Sequence, residues 1–294
     1  MDKVAIVVLN YLNYQDTIEC VESIAYDKYS EKQIIIVDNG SSNESKAKLE
    51  EKFFNRDGIY LLFNAKNEGF ARGNNIGIRY ATEQLECRFV LLVNNHTIFK
   101  DPQTITVLME AYEEGVGIIG PRIVGTDGGE QNPVRNEVIR SNLAQEFYYR
   151  QKDLNIRLKQ SSLYQALRKV NLFKKKKGPR LAVQNSRTSM NLVLHGACMM
   201  LTKDYFKYYP YLFPNTFMYY EENILTILTC KVGLSKKFIN TTYIYHKEDQ
   251  SVVMSFNNDS AIKNTFLLES IKSAKKMYPL PYEELKTIYF TLNQ

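Results

Sequence analysis

Asn94, Asn95 and His96 follow five apolar residues, Phe89 to Val93, without a break. A continuous apolar run of that kind reads as a strand buried on both faces. The side chains that come directly after it, two amides and an imidazole, are then held at the strand's carboxyl end, where open α/β sheets bind ligands. Three earlier runs end the same way: "VAIVVLN" in Asn10, "QIIIVDNGS" in Asp38 and Asn39, and "IYLLFN" in Asn64. One such residue by itself caps a helix or shapes a turn. Four at the same end of neighbouring strands converge on one crevice for a polar ligand. A lone histidine is in the first place a satisfied packing residue, and His96 and His246, which ends "TTYIYH", read so from the residues alone. In "YYEEN", Glu221 and Glu222 are adjacent carboxylates near a helix start. Two acids there either favour the helix dipole or offer a general base.

The elements that must position these groups follow from hydrophobic periodicity. Buried strands are expected at Val4 to Asn10, in "QIIIVDNGS", at Ile59 to Asn64 and at Phe89 to Val93. Helical stripes are expected at Gln15 to Tyr26, at Asn43 to Phe54 with Ser41 or Ser42 as N-cap, from "ARGNNIGIRYAT", and at Gln103 to Tyr112. Strand and helix alternate with short connections, the signature of a doubly wound, mostly parallel α/β sheet flanked by helices. After Gly125 the pattern changes. Arg135 to Phe173 reads as basic and helical, "HGACMMLT" as a short strand, and "FMYYEENILTILTCKVG" as a helix stopped by Gly233. "KKFINTTYIYHKEDQS" reads as one or two strands, and the C-terminal part as an amphipathic helix with a shorter one after Pro281.

Of the 294 residues, 44% are hydrophobic and 24% charged, an ordinary globular composition. No apolar run approaches the ~18 residues that span a bilayer. "VAIVVL" followed by "NYLNYQD" reads as a first strand and its loop, with no leader-type cleavage site, so a cytosolic protein is expected. Cys20, Cys87, Cys198 and Cys230 are scattered without metal-ligand spacing and read as free thiols. The formal charge of +6 is uneven. Arg135 to Arg187 holds 14 Lys and Arg against 3 acids, a net +11 that leaves −5 for the rest.

A nicotinamide cofactor would need Gly-x-Gly-x-x-Gly after the first strand, and "NYLNYQD" contains no glycine. The phosphate loop of nucleotide hydrolases is absent too. Instead "VAIVVLNY", "IIIVDNGSS", "NEGFARGNNIGI", "LLVNNHTIF", "HGACMMLTKDYF", "FMYYEENIL" and "YIYHKEDQS" occur in an order and at spacings that resemble the family 2 inverting glycosyltransferases of the GT-A fold. The resemblance covers roughly residues 3 to 277, and "KNTFLL" is similar to that family's Arg-Asn helix.

The resemblance implies a GT-A catalytic domain over 1–250, with a basic helical insertion at 135–187, and a C-terminal helical extension over 251–294. It implies that Asn10, Tyr11, Asp38 and the neighbouring Asn39 hold the nucleotide base. A carboxylate accepts only, which suits the ring N–H of uracil or thymine. Asn67, Gly69, Gly73 and Asn74 would approach the nucleoside, Asn94 and Asn95 belong to the donor-binding motif, and Gly196 and Ala197 would form the sugar and acceptor side. Where the family carries the metal-binding Asp of an Asn-Asn-Asp motif, this chain has His96, and His246 matches a C-terminal histidine that also ligates metal. The implied cofactor is a divalent cation, Mn²⁺ or Mg²⁺. Imidazole favours Mn²⁺ or a borderline ion, and the alternative is a site where basic side chains hold the diphosphate. Glu222 takes the place of the family's catalytic Asp and is expected to be the base, with Glu221 as second choice. Asn223 and Ile224 depart from the family's Asp-x-Asp-Leu continuation.

The implied activity is transfer of a sugar from a UDP- or dTDP-sugar to a saccharide acceptor, lipid-linked, in cell-surface polysaccharide or capsule synthesis. The basic segment, with Phe147, Tyr148, Tyr149, Tyr164 and Phe173 interleaved, suits an anionic membrane surface. It would place the protein on the inner face of the cell membrane. The bland reading of Lys174 to Lys177 is a solvated turn, and no nucleic-acid motif accompanies the patch. Two other classes stay open: a catalytically degenerate nucleotide-sugar-binding relative, and a nucleotidyltransferase.

Overall fold

The structure, a computed structural model, describes residues 1–136, 150–158, 161–162, 184–247 and 260–292. The first half alternates as the apolar pattern requires. β1 (Val4–Asn10), α1 (Tyr14–Ala25), β2 (Lys32–Asp38), α2 (Ser45–Phe53), β3 (Ile59–Phe63), α3 (Gly69–Arg79) and β4 (Phe89–Asn94) follow in turn. β5 (Thr97–Phe99), α4 (Thr104–Glu110) and β6 (Val116–Gly125) complete it. Then come four short strands: β7 (Arg135–Asn136), β8 (Arg187–Ser189), β9 (Leu192–Val193) and β10 (Cys198–Leu201). α5 (Glu221–Lys231), β11 (Ser235–His246), α6 (Ser260–Met277) and α7 (Tyr282–Leu292) close the chain.

The main sheet has the order β3-β2-β1-β4-β10-β6-β11-β5, with β8 also on β11. β3, β2, β1 and β4 are parallel, and β6 is parallel to β11. β10 runs against both β4 and β6, and β5 and β8 run against β11. Six of the nine strands therefore share one direction, and the antiparallel β10 joins the two parallel halves.

Continuous apolar strands arise because both faces are covered. Along β1, Ala5 and Val7 belong to one core cluster while Val4, Ile6 and Val8 belong to the other. β2 divides in the same way, with Ile35 and Val37 against Ile34 and Ile36. α1, α2 and α4 cover one face through Val21, Ile24, Leu49, Phe53, Ile105 and Leu108. α3, α5, α6 and α7 cover the other through Ile78, Leu225, Leu228, Ile271, Met277 and Tyr289.

Two local expectations are corrected, and a third is met over the residues described. Neither Ser41 nor Ser42 caps α2: the helix begins after Glu44 without a side-chain cap, and the Ser41 hydroxyl accepts from the Leu12 N–H at 2.8 Å instead. "FMYY" is not helical. Tyr219 and Tyr220 both take positive φ, 71° and 73°, and α5 starts only at Glu221. Within Arg135 to Phe173 the described residues are a two-residue strand, a helix over 150–158 and residues 161–162, so the helical expectation holds there for about two and a half turns. Residues 163–183, with Tyr164, Phe173 and Lys174 to Lys177, and 137–149, with Phe147 to Tyr149, lie outside the described residues. All four cysteines are free, three of them buried.

Candidate active site

Strand register aligns the polar ends. Asn10 lies opposite Asp38, and Asn94 opposite Leu9. Asn10 Nδ2 donates to Asp38 Oδ2 at 2.6 Å, and the Ser41 N–H donates to Asp38 Oδ1 at 2.9 Å. A carboxylate has about four acceptor positions, so Asp38 retains capacity for a further donor. Tyr11 follows, half-buried. Asn39 ties the next loop down: Asn64 Nδ2 and the Glu68 N–H donate to its Oδ1, and its Nδ2 donates to Asn67 Oδ1 and Gly69 O.

This web explains the glycine-rich start of α3. Gly69 has φ +80°, and a Cβ there would stand 2.3 Å from the Phe217 carbonyl oxygen. Only glycine tolerates both the left-handed backbone and the close approach. Gly73 packs against Leu9 and Asn39. Asn74 turns back on its own helix, donating to Phe70 O at 2.9 Å. Its neighbour Asn75, which the motif reading did not single out, clamps the Leu212 backbone from both sides at 2.8 and 2.9 Å.

At the end of β4 the Asn94 N–H bonds Ala197 O. Asn95 is buried, and its Nδ2 donates to Asn13 O at 3.1 Å and Thr17 Oγ1 at 3.0 Å. Thr17 in turn donates to Asn10 Oδ1 at 2.7 Å. The Asn95 oxygen therefore faces His96 Nδ1, 3.1 Å away. That oxygen only accepts, so the His96 ring proton sits on Nδ1 and its Nε2 carries a lone pair.

His246 arrives by long-range pairing. β5 begins at Thr97, directly after His96, and pairs with the end of β11 so that His246 lies opposite Thr97. The Lys247 N–H then bonds His96 O at 2.9 Å, and the Lys247 ammonium pairs with Asp16 and Glu19 of α1. The two imidazoles end 4.7 Å apart, centroid to centroid, tilted by 31°. His246 Nδ1 meets Gln131 Oε1 at 2.7 Å, so it too carries its proton there, and its buried Nε2 has no hydrogen-bond partner among the described residues. Burial, with the His96 and His195 rings adding to it, pushes His246 down to about 3, so it is neutral at physiological pH.

His195 is the third histidine of the chain, and its ring lies edge-on to His246 at 5.4 Å. It was legible only as the first letter of "HGACMMLT". After it, the Gly196 N–H donates to Glu222 Oε1 at 3.1 Å, and a Cβ on Gly196 would come within 2.7 Å of that oxygen. Ala197 is buried beneath. Glu222 is therefore joined to the histidines through one two-residue turn.

Glu221 points elsewhere, because neighbouring helical positions diverge by about 100°. It lines a small apolar cavity with Leu212, Phe213, Thr216, Ile224 and Leu225, and its Oε1 finds no donor among the described residues. Burial, reinforced by the charge of Glu222, raises its carboxyl to about 8. The consecutive left-handed Tyr219 and Tyr220 set where α5 begins, and so decide which acid faces Gly196. Left-handed non-glycine residues cost of order 1–3 kcal/mol each and persist where the surroundings over-determine them. Here Ser270 and Ser273 of α6 bond Met218 O and Asn215 O, and Arg72 bonds Pro214 O.

Among the described residues no three His, Cys, Asp or Glu side chains are arranged to hold a metal ion by themselves. His96 and His246 nevertheless fit as a pair. Each imidazole is oriented by an amide oxygen on Nδ1, the usual support for a metal-ligating histidine, and His246 Nε2 is a buried lone pair without a partner. Such a pair needs oxygen ligands from elsewhere.

The sequence pattern of the family described as Glycosyl transferase family 2 matches residues 4–208. The low-salt glycan biosynthesis hexosyltransferase Agl10 of Haloferax volcanii is 23% identical over 222 residues, which cover 76% of this chain. The chain spans 60% of the length of that relative. The crystal structure of S. aureus TarS 1-349 matches with a TM-score of 0.51 at 13% identity, over 94% of this chain and 72% of that one. At that identity the likeness concerns the fold.

Proposed function

The chain belongs to glycosyl transferase family 2, and we propose that it is an inverting glycosyltransferase acting on a nucleotide-diphosphate sugar. The arrangement of its sheet and helices is of the GT-A type. The observation that carries the reading is the convergence of three separate parts on one sheet end. Asp38 connects through Asn10 and Thr17 to Asn95 and His96, His96 touches His246, and Glu222 is reached through His195 and Gly196.

In this reading Asp38, with Asn10 and Tyr11, receives the ring N–H of uracil or thymine, so the donor is a UDP- or dTDP-sugar. Asn39, Asn67, Gly69, Gly73 and Asn74 shape the loop over the nucleoside, and Asn94 and Asn95 lie beside the donor phosphates. Glu222 takes the proton of the acceptor hydroxyl as that oxygen attacks the anomeric carbon and the bond to the diphosphate breaks. Gly196 holds the carboxylate in place, and Ala197 lies on the acceptor side. Glu221 keeps its proton near neutral pH and is not suited to be the base. His96 and His246 would hold a divalent cation, Mn²⁺ better than Mg²⁺, which supplies charge stabilisation to the departing diphosphate.

The acceptor is a saccharide, lipid-linked in a cell-surface polysaccharide. Among the described residues no helix is long and apolar enough to cross a membrane. The helix over 150–158 instead exposes Leu154 and Leu158 beside Arg150, Lys152 and Arg157. That composition supports a peripheral position on an anionic inner membrane face. Sedimentation with anionic vesicles at low salt, and none with neutral vesicles, is the expected result; absence of sedimentation with both removes this part.

The enzymatic reading is tested with a panel of UDP- and dTDP-hexoses, with and without Mn²⁺. Expected are a thermal shift with one carrier and release of that nucleoside diphosphate when acceptor is added. Binding without release would favour the competing reading, a non-catalytic nucleotide-sugar-binding relative, which His96 in place of an acid supports. No response to any nucleotide sugar would overturn both.

A further inference from the structure

Thr17 lies near the start of α1 and is fully buried. Its hydroxyl meets three polar groups. Asn95 Nδ2 donates to Thr17 Oγ1 at 3.0 Å, while Asn10 Oδ1 stands 2.7 Å away and Asn13 O 3.0 Å away. A hydroxyl has one proton to give, and Asn10 Oδ1 can only accept. Two oxygens at 2.7 Å need a proton between them, and Asn13 O is already served by Asn95 Nδ2 at 3.1 Å. The Thr17 proton therefore points to Asn10. Asn10 Nδ2 donates in turn to Asp38 Oδ2, and at the other end His96 Nδ1–H donates to Asn95 Oδ1. The result is one directed chain from His96 through Asn95, Thr17 and Asn10 to the Asp38 carboxylate. Thr17 is its middle link, accepting from one amide and donating to the other. The direct contact between the two amides is 3.5 Å, too long to replace it.

We propose that Thr17 is a positioning residue that sets the base-binding carboxylate and the metal-ligating imidazole together. Being fully buried, it touches neither ligand itself. The proposal rests on the nucleotide-sugar reading given above. Asn10 and Asn95 are both buried, so an amide deprived of its partner pays the desolvation cost of an unmade bond and shifts to find another. Without the Thr17 hydroxyl, Asn10 Oδ1 loses its short donor and Asn95 Nδ2 keeps only Asn13 O at bonding distance. Asp38 and His96 then each rest on an amide that is less well held. Hydrogen bonds aligned head to tail also polarise one another, so both ends gain from the same link. The helix holds the second imidazole as well, because Lys247, next to His246, pairs with Asp16 and Glu19 on either side of Thr17.

Thr17→Val keeps the branched shape and removes the hydroxyl, whereas Thr17→Ser keeps the hydroxyl. Calorimetry on the full chain reads two quantities in each protein. Binding of UMP and dTMP without metal reports the Asp38 end. The factor by which Mn²⁺ tightens UDP or dTDP reports the imidazole end. In Thr17→Val both should fall about two- to tenfold, the range of one neutral hydrogen bond, and both should be largely kept in Thr17→Ser. Thr17→Ala should show the same joint loss, and serves if the valine variant does not fold. A hydroxyl that merely steadies α1 would lower the unfolding temperature and leave both quantities unchanged, and that result would overturn the proposal. A loss confined to one end, or an equal loss in Thr17→Ser, would overturn it too. So would a diphosphate affinity that Mn²⁺ leaves unchanged in the unsubstituted protein. Failure of the unsubstituted protein to bind any of the four nucleotides would instead remove the nucleotide-sugar reading, and this role with it.

Discussion

Glu221→Gln should stabilise the protein near neutral pH, and the size of the effect follows from where Glu221 sits. Its carboxyl is 7% exposed, among Leu212, Phe213, Ile224 and Leu225. Burial first, and the charge of Glu222 second, raise it from 4.5 to about 8. In the unfolded chain the same group ionises near 4.5. Between these values the folded protein holds a proton that the unfolded chain releases, so stability is highest below pH 4.5 and falls as pH rises toward 8. Each unit of difference is 1.36 kcal/mol, which gives a loss of about 3 kcal/mol by pH 7. Glutamine has nearly the same shape and does not titrate. Urea unfolding of both proteins from pH 5 to pH 8 is the assay. The two unfolding free energies should diverge steadily with pH, the variant becoming the more stable by up to about 3 kcal/mol at pH 7. Parallel curves would refute the assignment of a protonated, buried Glu221.

Gly69→Ala should cost about 3 kcal/mol or more, from a left-handed φ and a Cβ placed 2.3 Å from Phe217 O; an unchanged urea midpoint would contradict the packing described. The unsubstituted protein should show a larger thermal shift with Mn²⁺ than with Mg²⁺ at equal concentration, and His246→Ala should abolish the difference. A Mn²⁺ response that survives His246→Ala would remove His246 from the metal site.

The parts of the fold that were legible in the sequence are those whose signal is local. β1, β2 and β4 are unbroken apolar runs because helices cover both faces of the sheet, and their polar ends mark the crevice. The parts that were not legible depend on distant pairing. β5 is three residues long, too short to show a period, yet it is what delivers His246 to His96. His195 joins them through a separate pairing, β10 against β4, in which Cys198 lies opposite Val93, and nothing in its spacing from His96 or His246 announces it. Gln131 and Thr17, which orient the site from outside it, carry no sequence signal at all. Glu221 and Glu222 are neighbours in every local sense. Only the left-handed Tyr219 and Tyr220 fix the start of α5, and the glycine that would have revealed that turn is missing from "FMYYEEN".

The base assignment is most directly tested by Glu222→Gln. Glutamine keeps the oxygen that accepts from the Gly196 N–H and so preserves the local geometry, but it cannot take a proton. The account predicts a kcat lower by about 10²- to 10⁴-fold, the usual contribution of a general base, with nucleoside diphosphate affinity unchanged. Turnover within a few-fold of the unsubstituted enzyme would show that Glu222 does not remove the acceptor proton, and would contradict the mechanism at its centre.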